Sequence, residues 1–198
     1  INEFFWDIDR KELVFSATPG TDGDYFISTD PLRDSLRFKV KEAEYSLESS
    51  IIKAHGVPEI RVADSRVIPE NGDVIIEPEG DMRLLKNAVL ESDTSQGFHR
   101  IEKATLQVSG RNEVTGDGVY NYNVQGLQAQ QLAMKDIHVY KDTVGSKKDE
   151  RINYHVSGVG KIGETEQFEV YPKVLFYGDA YMLSNKEFLT FDGFTKID

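Results

Sequence analysis

Apolar and polar residues alternate with a period of two along most of the chain. The alternation is clearest in residues 36–40, 104–108, 120–124 and 152–156, where aromatic and β-branched side chains fill many apolar positions. Such alternation is typical of strands that bury one face. Turn-forming pairs such as Pro19-Gly20 separate the runs. The pattern predicts an all-β fold of many short antiparallel strands, stacked or folded over in a β-jellyroll or sandwich-like architecture.

Glycine-containing segments predict further tight turns at 71–73, 116–118 and 192–193. Residues 127–134 are rich in good helix formers, but they lack a capping residue and lead directly into a strand-like sequence. We therefore expect strand or irregular structure there. The polar segment 141–150 predicts an exposed loop. We treat residues 1–198 as one β-rich domain, in which a subdomain break would fall at 141–150.

A six-residue pattern recurs, in which two mostly polar residues separate an apolar residue from Ala or Ile. Two residues between apolar positions shift the alternation by one, so a strand must bulge or bend there to keep its inward face. We therefore predict a corner at each copy, with a small residue where neighbouring strands approach closely. The irregular spacing of the copies excludes a solenoid of fixed period. The copies are VKEAEY (40–45), LKNAVL (85–90), IEKATL (101–106), MKDIHV (134–139) and YGDAYM (177–182).

The inward positions of the predicted strands define an expected core. The single tryptophan, Trp6, stands in an apolar triplet with Phe4 and Phe5, and we expect it in the core as well. The other residues expected to be buried are Leu36, Phe38, Ile52, Val62, Ile75, Leu84, Leu106, Val108, Val156, Phe168, Val170 and Phe176.

The composition of the chain excludes several classes of function. The 198 residues contain 23 Lys+Arg against 34 Asp+Glu, which gives a formal net charge of −11. A chain this acidic is a poor partner for nucleic acid, whose phosphates require clustered Lys and Arg. The absence of cysteine excludes disulfides, Cys-ligated metals and thiol nucleophiles. No apolar run approaches the ~20 residues that span a bilayer.

Candidate chemical groups are present, but they form no recognisable motif. The histidines, His55, His99, His138 and His155, lack the spacing of metal ligands, and a satisfied or solvent-facing imidazole is the simpler interpretation. We therefore predict a non-catalytic protein with no cofactor, and we assign no catalytic, metal or ligand-binding residue. The remaining candidates are acidic groups (Asp7 with Asp9, and Glu164, Glu166 and Glu169), the loops Asp22-Gly23-Asp24 and Gly116-Asp117-Gly118, which resemble calcium loops, and the tyrosines Tyr120, Tyr122, Tyr171, Tyr177 and Tyr181.

Each candidate also has a structural explanation that we prefer. Paired acids occur by default in so acidic a chain, and the Asp-Gly loops serve turns. Asp7 and Asp9 would share one face of a strand. Tyrosines on one sheet face can stack on sugar rings, but they also complete cores whose hydroxyl groups reach the rim. We favour the core or rim interpretation for these tyrosines.

The segment 40–60 resembles a repeat of the bacterial lipopolysaccharide-transport bridge (OstA-like) proteins. A small residue and an aromatic open one strand, a polar turn follows, and a second strand ends in Ala-x-Gly-apolar. The matching residues are Ala43, Tyr45, Ile52, Ala54, Gly56 and Val57, and residues 62–76 look like a second copy. The chain is also similar to modules of large uncharacterised envelope proteins of Gram-negative bacteria.

The resemblance implies an open, folded-over stack of antiparallel strands with an apolar trough, located in the periplasm or at the cell surface. Pro58 and Pro69 depart from the repeat, since proline interrupts strand pairing. The first residue is Ile1 and no leader follows, so we expect an excised or processed fragment of a larger protein.

Three functions remain. The first is a non-catalytic structural or scaffolding module of a larger envelope protein, whose partners are the other modules of that protein. It predicts no strong pocket, exposed strand edges at the ends and no bound ligand. The second is a conduit for a lipid or glycolipid. The third is a carbohydrate-binding or hydrolytic β domain, which predicts exposed Tyr or Trp side chains in a row or two facing acids in a cleft.

Overall fold

A computed structural model describes residues 3–92, 97–145 and 149–197. The fold is all-β, and its strands form two antiparallel sheets in a sandwich-like arrangement, which confirms the predicted fold class. The five-stranded sheet contains, in spatial order, β1 (Glu3–Asp7), β2 (Glu12–Ser16), β5 (Glu42–Ser46), β6 (Ile52–His55) and β9 (Val74–Ile76).

The twelve-stranded sheet contains all the strands that are not part of the five-stranded sheet. It begins in space with β15 (Glu169–Tyr171), β16 (Val174–Leu183), β14 (Arg151–Ile162), β13 (Gln130–Val144), β12 (Glu113–Tyr122) and β11 (His99–Gly110). It continues with β10 (Leu85–Ser92), β8 (Ser65–Ile68), β7 (Ile60–Val62), β4 (Arg37–Val40) and β3 (Asp24–Ile27), while β17 (Thr190–Ile197) pairs with β16. Three single turns of 3-10 helix are Pro31–Arg33, Glu70–Gly72 and Glu164–Glu166.

In the N-terminal half, the chain crosses repeatedly from one sheet to the other. β4 ends at Val40 and β5 begins at Glu42, so Lys41 alone makes one crossing. Pro58 lies in the crossing from β6 to β7, and Pro69 lies in the crossing from β8 to β9. Proline is tolerated there because a residue between strands does not have to donate a backbone hydrogen bond to a neighbouring strand. The crossings fold the two sheets over each other around a shared core.

In the C-terminal half, the long strands bend at β-bulges and do not cross from one sheet to the other. Asn87, Lys103 and Asp136 are the third residues of their six-residue patterns, and all three adopt positive φ angles of 50–51°. The pairing register shifts at each of them. The predicted bulges are therefore confirmed for these three copies, and the copy at 40–45 is the sheet crossing at Lys41.

The fifth copy, at 177–182, contradicts the prediction of a bulge. β16 pairs with β14 and β17 through this segment without a register shift, although Gly178 has a φ of 145°. Glycine is required there because an added Cβ would lie 2.4 Å from the carbonyl oxygen of Asp192.

Two predicted turns, 116–118 and 192–193, lie inside β12 and β17. Their glycines serve close approach between strands. A Cβ on Gly116 would lie 2.0 Å from the carbonyl oxygen of Thr105, and one on Gly193 would lie 2.3 Å from that of Tyr177. Glycine inside a strand marks such contacts as often as it marks turns, which is why the turn prediction failed.

The core lies between the sheets and is filled by side chains. Eight of the twelve residues expected to be buried are buried, but Ile52, Ile75 and Val170 are half-buried. The prediction that Leu84 is buried is wrong, since this side chain is 43% exposed. The alternation of inward and outward side chains shifts by one residue between the buried Met82 and Leu85. The eight confirmed residues are Leu36, Phe38, Val62, Leu106, Val108, Val156, Phe168 and Phe176.

The structure tests the predictions for two further segments, 127–134 and 141–150. Residues 127–129 are irregular and β13 begins at Gln130, which confirms the preference for strand or irregular structure over helix. The predicted loop at 141–150 is partly wrong, because β13 continues to Val144. β13 and β14 pair with each other across this segment, and residues 146–148 lie outside the described residues. No helix within the described part of the chain is long and apolar enough to cross a membrane.

Candidate functional site

The N-terminal end of the sandwich, formed by β1, β2 and β3, presents apolar side chains that no further strand among the described residues covers. Register sets which side chains face inward, because directly paired residues point to the same side of a sheet. Phe4 pairs with Phe15, which pairs with the buried Ala43. The core-facing side of β1 therefore carries Phe4, and by alternation also Trp6.

Both inward residues of β1 are nevertheless exposed. Phe4 is 68% exposed and Trp6 is 55% exposed, although the ring of Phe4 contacts that of Phe15 at 6.3 Å between centroids. Phe5 and Ile8, which lie on the outer side and in the following turn, are 65% and 72% exposed. The expectation that Trp6 lies in the core is thus wrong, because within the described residues β1 pairs with β2 alone.

The C-terminal end, formed by β15, β16 and β17, is closed by an aromatic cluster. Phe168 and Phe176 are each 4% exposed. Phe191 packs edge-on against Phe176 with 5.1 Å between ring centroids, and Tyr122 lies 5.1 Å from Phe168. The hydroxyl of Tyr122 donates to the carbonyl of Val170. The core-or-rim interpretation of Tyr122 is therefore confirmed.

The outer face of the twelve-stranded sheet carries a ladder of ion pairs that crosses four strands. Glu59 accepts from Arg61 and Arg66, and Arg66 bonds Glu91 at 2.6 Å. Arg100 joins Glu91 to Glu102. Hydrogen bonds from Arg61 and Arg100 hold the pKa values of Glu59 and Glu102 below the ordinary range. This face is a solvated charge network, as expected for acids dispersed along strands.

Asp64, in the turn between β7 and β8, ties this turn to the C-terminal half. Its carboxylate accepts from Ser184 Oγ at 2.5 Å and from the backbone N–H of Val156 at 3.3 Å, and it lies 2.6 Å from His155 Nδ1. Ser184 Oγ points to the carboxylate and not to the imidazole, so these three side chains do not form a nucleophile–base relay. The cluster is a half-buried structural junction, in which only Ser184 of the three side chains is fully buried.

His99 is the most enclosed histidine. It is 2% exposed, its Nε2 donates to the carbonyl of Lys186 at 2.6 Å, and the hydroxyl of Tyr120 lies 3.1 Å from Nδ1. This pairing fits a neutral ring that donates through Nε2 and accepts through Nδ1. Burial lowers the pKa of His99 and raises that of Tyr120. Both are satisfied core groups.

The other histidines and the acidic candidates are dispersed. His55 lies 2.7 Å from Asp73, and His138 lies in β13 close to Ser157. Among residues 3–92, 97–145 and 149–197, no three His, Asp or Glu side chains are grouped so that they could hold a metal ion.

Asp7 ends β1 and accepts the backbone N–H of Arg10 at 3.0 Å, which places Asp9 in a turn. The two acids therefore do not share a strand face as expected. Glu164 and Glu166 lie on an exposed helical turn, apart from Glu169 in β15. Asp22 bonds Lys39 at 2.5 Å, and Asp117 bonds Lys135 at 3.1 Å.

The segment that resembles a transport-bridge repeat forms a hairpin of β5 and β6. Ala43 pairs with the buried Ala54, and Tyr45 pairs with Ile52. Gly56 has a φ of 67°, and an added Cβ would lie 2.9 Å from the side chain of Lys41. The predicted strand–turn–strand unit with small residues at the corner is present.

Comparison with known proteins finds no family model, no curated protein and no solved structure that matches this chain. The open N-terminal end is the feature of this fold that sequence reasoning missed. The apolar triplet at 4–6 signalled it, but alternation does not reveal whether a neighbouring strand covers the inward side.

Proposed function

We propose that this chain is a non-catalytic scaffolding module of a larger cell-envelope protein, exported to the periplasm or the cell surface. It docks through its N-terminal end onto an adjoining β-module of that protein. The observation that carries the proposal is the exposure of Phe4 and Trp6, two inward-facing aromatic side chains on an edge strand.

Edge strands with apolar side chains are a hazard for a protein that works alone. Proteins usually protect such edges with charges, proline, bulges or a covering segment. Stacked β-structures likewise need a polar terminal unit when they end in water. β1 carries Phe4, Phe5 and Trp6 in three consecutive positions, and its ladder groups on one side meet no strand within the described residues. A further strand or module in register with β1 would satisfy both the side chains and the backbone.

The cysteine-free sequence allows a direct test by thiol labelling. Phe4→Cys places a unique thiol at the open end, and Phe188→Cys places one at a site of similar exposure, 68% against 73%. In the isolated chain we expect a maleimide to modify both at similar rates. In the full-length protein in its native cells, position 4 should be protected while position 188 continues to react. Equal reaction at both positions in the full-length protein would overturn the proposal.

The lipid or glycolipid conduit is a second candidate, favoured by the same inward aromatics at the mouth of the fold. Its weakness is the interior, which buried side chains such as Leu106, Ile101 and Met134 fill at 0% exposure. Native mass spectrometry of the purified chain separates the two functions. A co-purified lipid that is lost on Trp6→Asp substitution favours the conduit, whereas lipid-free protein favours scaffolding.

A further inference from the structure

A cavity of about 490 Å³ lies on the outer face of the twelve-stranded sheet, near the edge formed by β3, β4 and β7. This volume falls in the range of small-molecule sites, roughly 300–1,000 Å³. Its charged lining lies on the outer face, because Tyr25 and Lys39 pair directly and point away from Phe26, which packs against the core. Phe4 and Trp6 belong to the other sheet and are not among the lining residues, so the cavity is separate from the open N-terminal end. The cavity is lined by Asp22, Tyr25, Arg37, Phe38, Lys39, Pro58, Glu59, Arg61 and Arg111.

The charge of this cavity is opposite to that of the chain. Four cationic and two acidic side chains line it, which leaves a net charge of +2 in a protein of net charge −11. Lys39 is paired with Asp22 at 2.5 Å, and Arg61 is paired with Glu59 at 2.8 Å. Both acids are therefore already engaged.

The two other cationic residues of the lining are Arg37 and Arg111. Within residues 3–92, 97–145 and 149–197, neither guanidinium forms an ion pair. The guanidinium carbon of Arg37 lies 5.6 Å from the centroid of the Tyr25 ring, a cation–π contact that holds the guanidinium over the ring. Arg111 is anchored through its backbone, which bonds Ala63 at 2.7 Å and Arg33 at 3.1 Å.

The geometry points to a binding site for a small organic anion, with Arg37 and Arg111 as the groups that recognise its phosphate or carboxylate. Guanidinium groups present a planar fork that matches either anion with two parallel hydrogen bonds. The ring of Tyr25 and the apolar edge of Pro58 complete a wall for the uncharged part of the ligand. The site extends beyond the proposed scaffolding role and does not depend on it.

Titration of the isolated chain, followed by two-dimensional NMR, tests the site. The probes are inorganic phosphate, glucose 6-phosphate and glucuronate at millimolar concentration, with glucose as the neutral probe. We expect saturable binding of at least one anion, no binding of glucose, and weaker binding at higher salt. Binding of glucuronate alone assigns carboxylate recognition, and binding of the phosphates alone assigns phosphate recognition.

Matched variants distinguish the site from a general surface effect. Arg37→Gln and Arg111→Gln should each weaken binding about tenfold or more, since each removes charge-assisted hydrogen bonds. Arg37→Lys keeps the charge but loses the fork, and it should weaken binding less. Arg151→Gln removes an exposed arginine outside the cavity and should leave binding unchanged. No saturable binding of any anion, or binding that survives both glutamine variants, would overturn the inference.

Discussion

The two ends of this folded-over stack both finish on strands rich in aromatic residues, yet they bury them to opposite extents. At the N-terminal end, Phe4 and Trp6 face inward and are 68% and 55% exposed. At the C-terminal end, Phe168 and Phe176 also face inward and are 4% exposed. The residue types are alike, so the difference comes from what lies over them.

The C-terminal end is covered because the chain turns back on itself there. The segment 163–171 brings Phe168 against Tyr122, and β17 adds Phe191 against Phe176. At the N-terminal end, β1 receives no such cover from the described residues. A stack of strands thus needs an extra folded segment to end in water, and one end of this molecule has it.

Replacement of a covered aromatic should have the largest effect. Phe176→Ala removes a ring that packs on Phe191 and lies over Gly178 and Gly193. We expect a loss of about 3–5 kcal/mol in the free energy of unfolding, measured with urea. Phe194→Ala on the same hairpin removes a ring that is 68% exposed and should cost far less. Equal losses would show that the C-terminal cluster is not a true closure.

The Asp64 junction should rank next, because it fastens the C-terminal half to the β7–β8 turn. Asp64→Ala removes the acceptor of the Ser184 hydroxyl and the carboxylate partner of His155, whereas the Val156 N–H keeps its hydrogen bond to Ser184 Oγ at 3.1 Å. We expect a loss of about 2–3 kcal/mol in unfolding free energy. The comparison at the N-terminal end is Asp7→Ala, which removes one exposed hydrogen bond to Arg10 and should cost about 0.5–1 kcal/mol. If Asp64→Ala lowers the free energy of unfolding by no more than Asp7→Ala does, this ranking is contradicted.

Local pattern accounts for what could be predicted about this fold. Alternation identified the strands, and the phase shifts at Asn87, Lys103 and Asp136 located three bulges, because a strand must bend to keep its apolar side inward. The same logic failed at Trp6, since alternation tells which side faces inward but not whether another strand covers it. It also misjudged Gly116, because a glycine needed for close approach has the same sequence signature as a turn.

The cavity was not predictable for a different reason. Arg37 belongs to β4, whereas Arg111 belongs to the turn between β11 and β12, and only the closed sandwich brings them to one cavity. The net charge of −11 argued only against nucleic acid as a partner and gave no indication of a small-anion site. The net charge of the whole chain does not show where a local group of cationic side chains reverses the sign of the charge.

Acid should loosen the C-terminal side first, through His99. Burial lowers the pKa of His99 in the folded state below 6.5, so the unfolded chain takes up a proton more readily. The stabilisation from the neutral ring is complete above pH 6.5 and is lost as the pH falls from 6.5 through the lowered pKa. Urea unfolding across this range should show declining stability in the native chain and a flatter profile in His99→Gln.

Hydrogen exchange in the same pH range should show where the loosening begins. The amides near Lys186, whose carbonyl accepts from His99, should exchange faster before those of β2 and β5 respond. An identical pH profile in His99→Gln would assign the acid sensitivity to groups other than His99.

The smallest effect should come from the open end itself. Phe4→Ser removes an aromatic ring, but in the isolated chain water already surrounds most of it, so little hydrophobic burial is lost. We expect the free energy of unfolding to change by less than about 0.5 kcal/mol. Phe15→Ser, one strand further in and half-buried, should cost several times more. A loss at position 4 as large as that at position 15 would mean that Phe4 is covered in the isolated chain, and the contrast between the two ends would disappear.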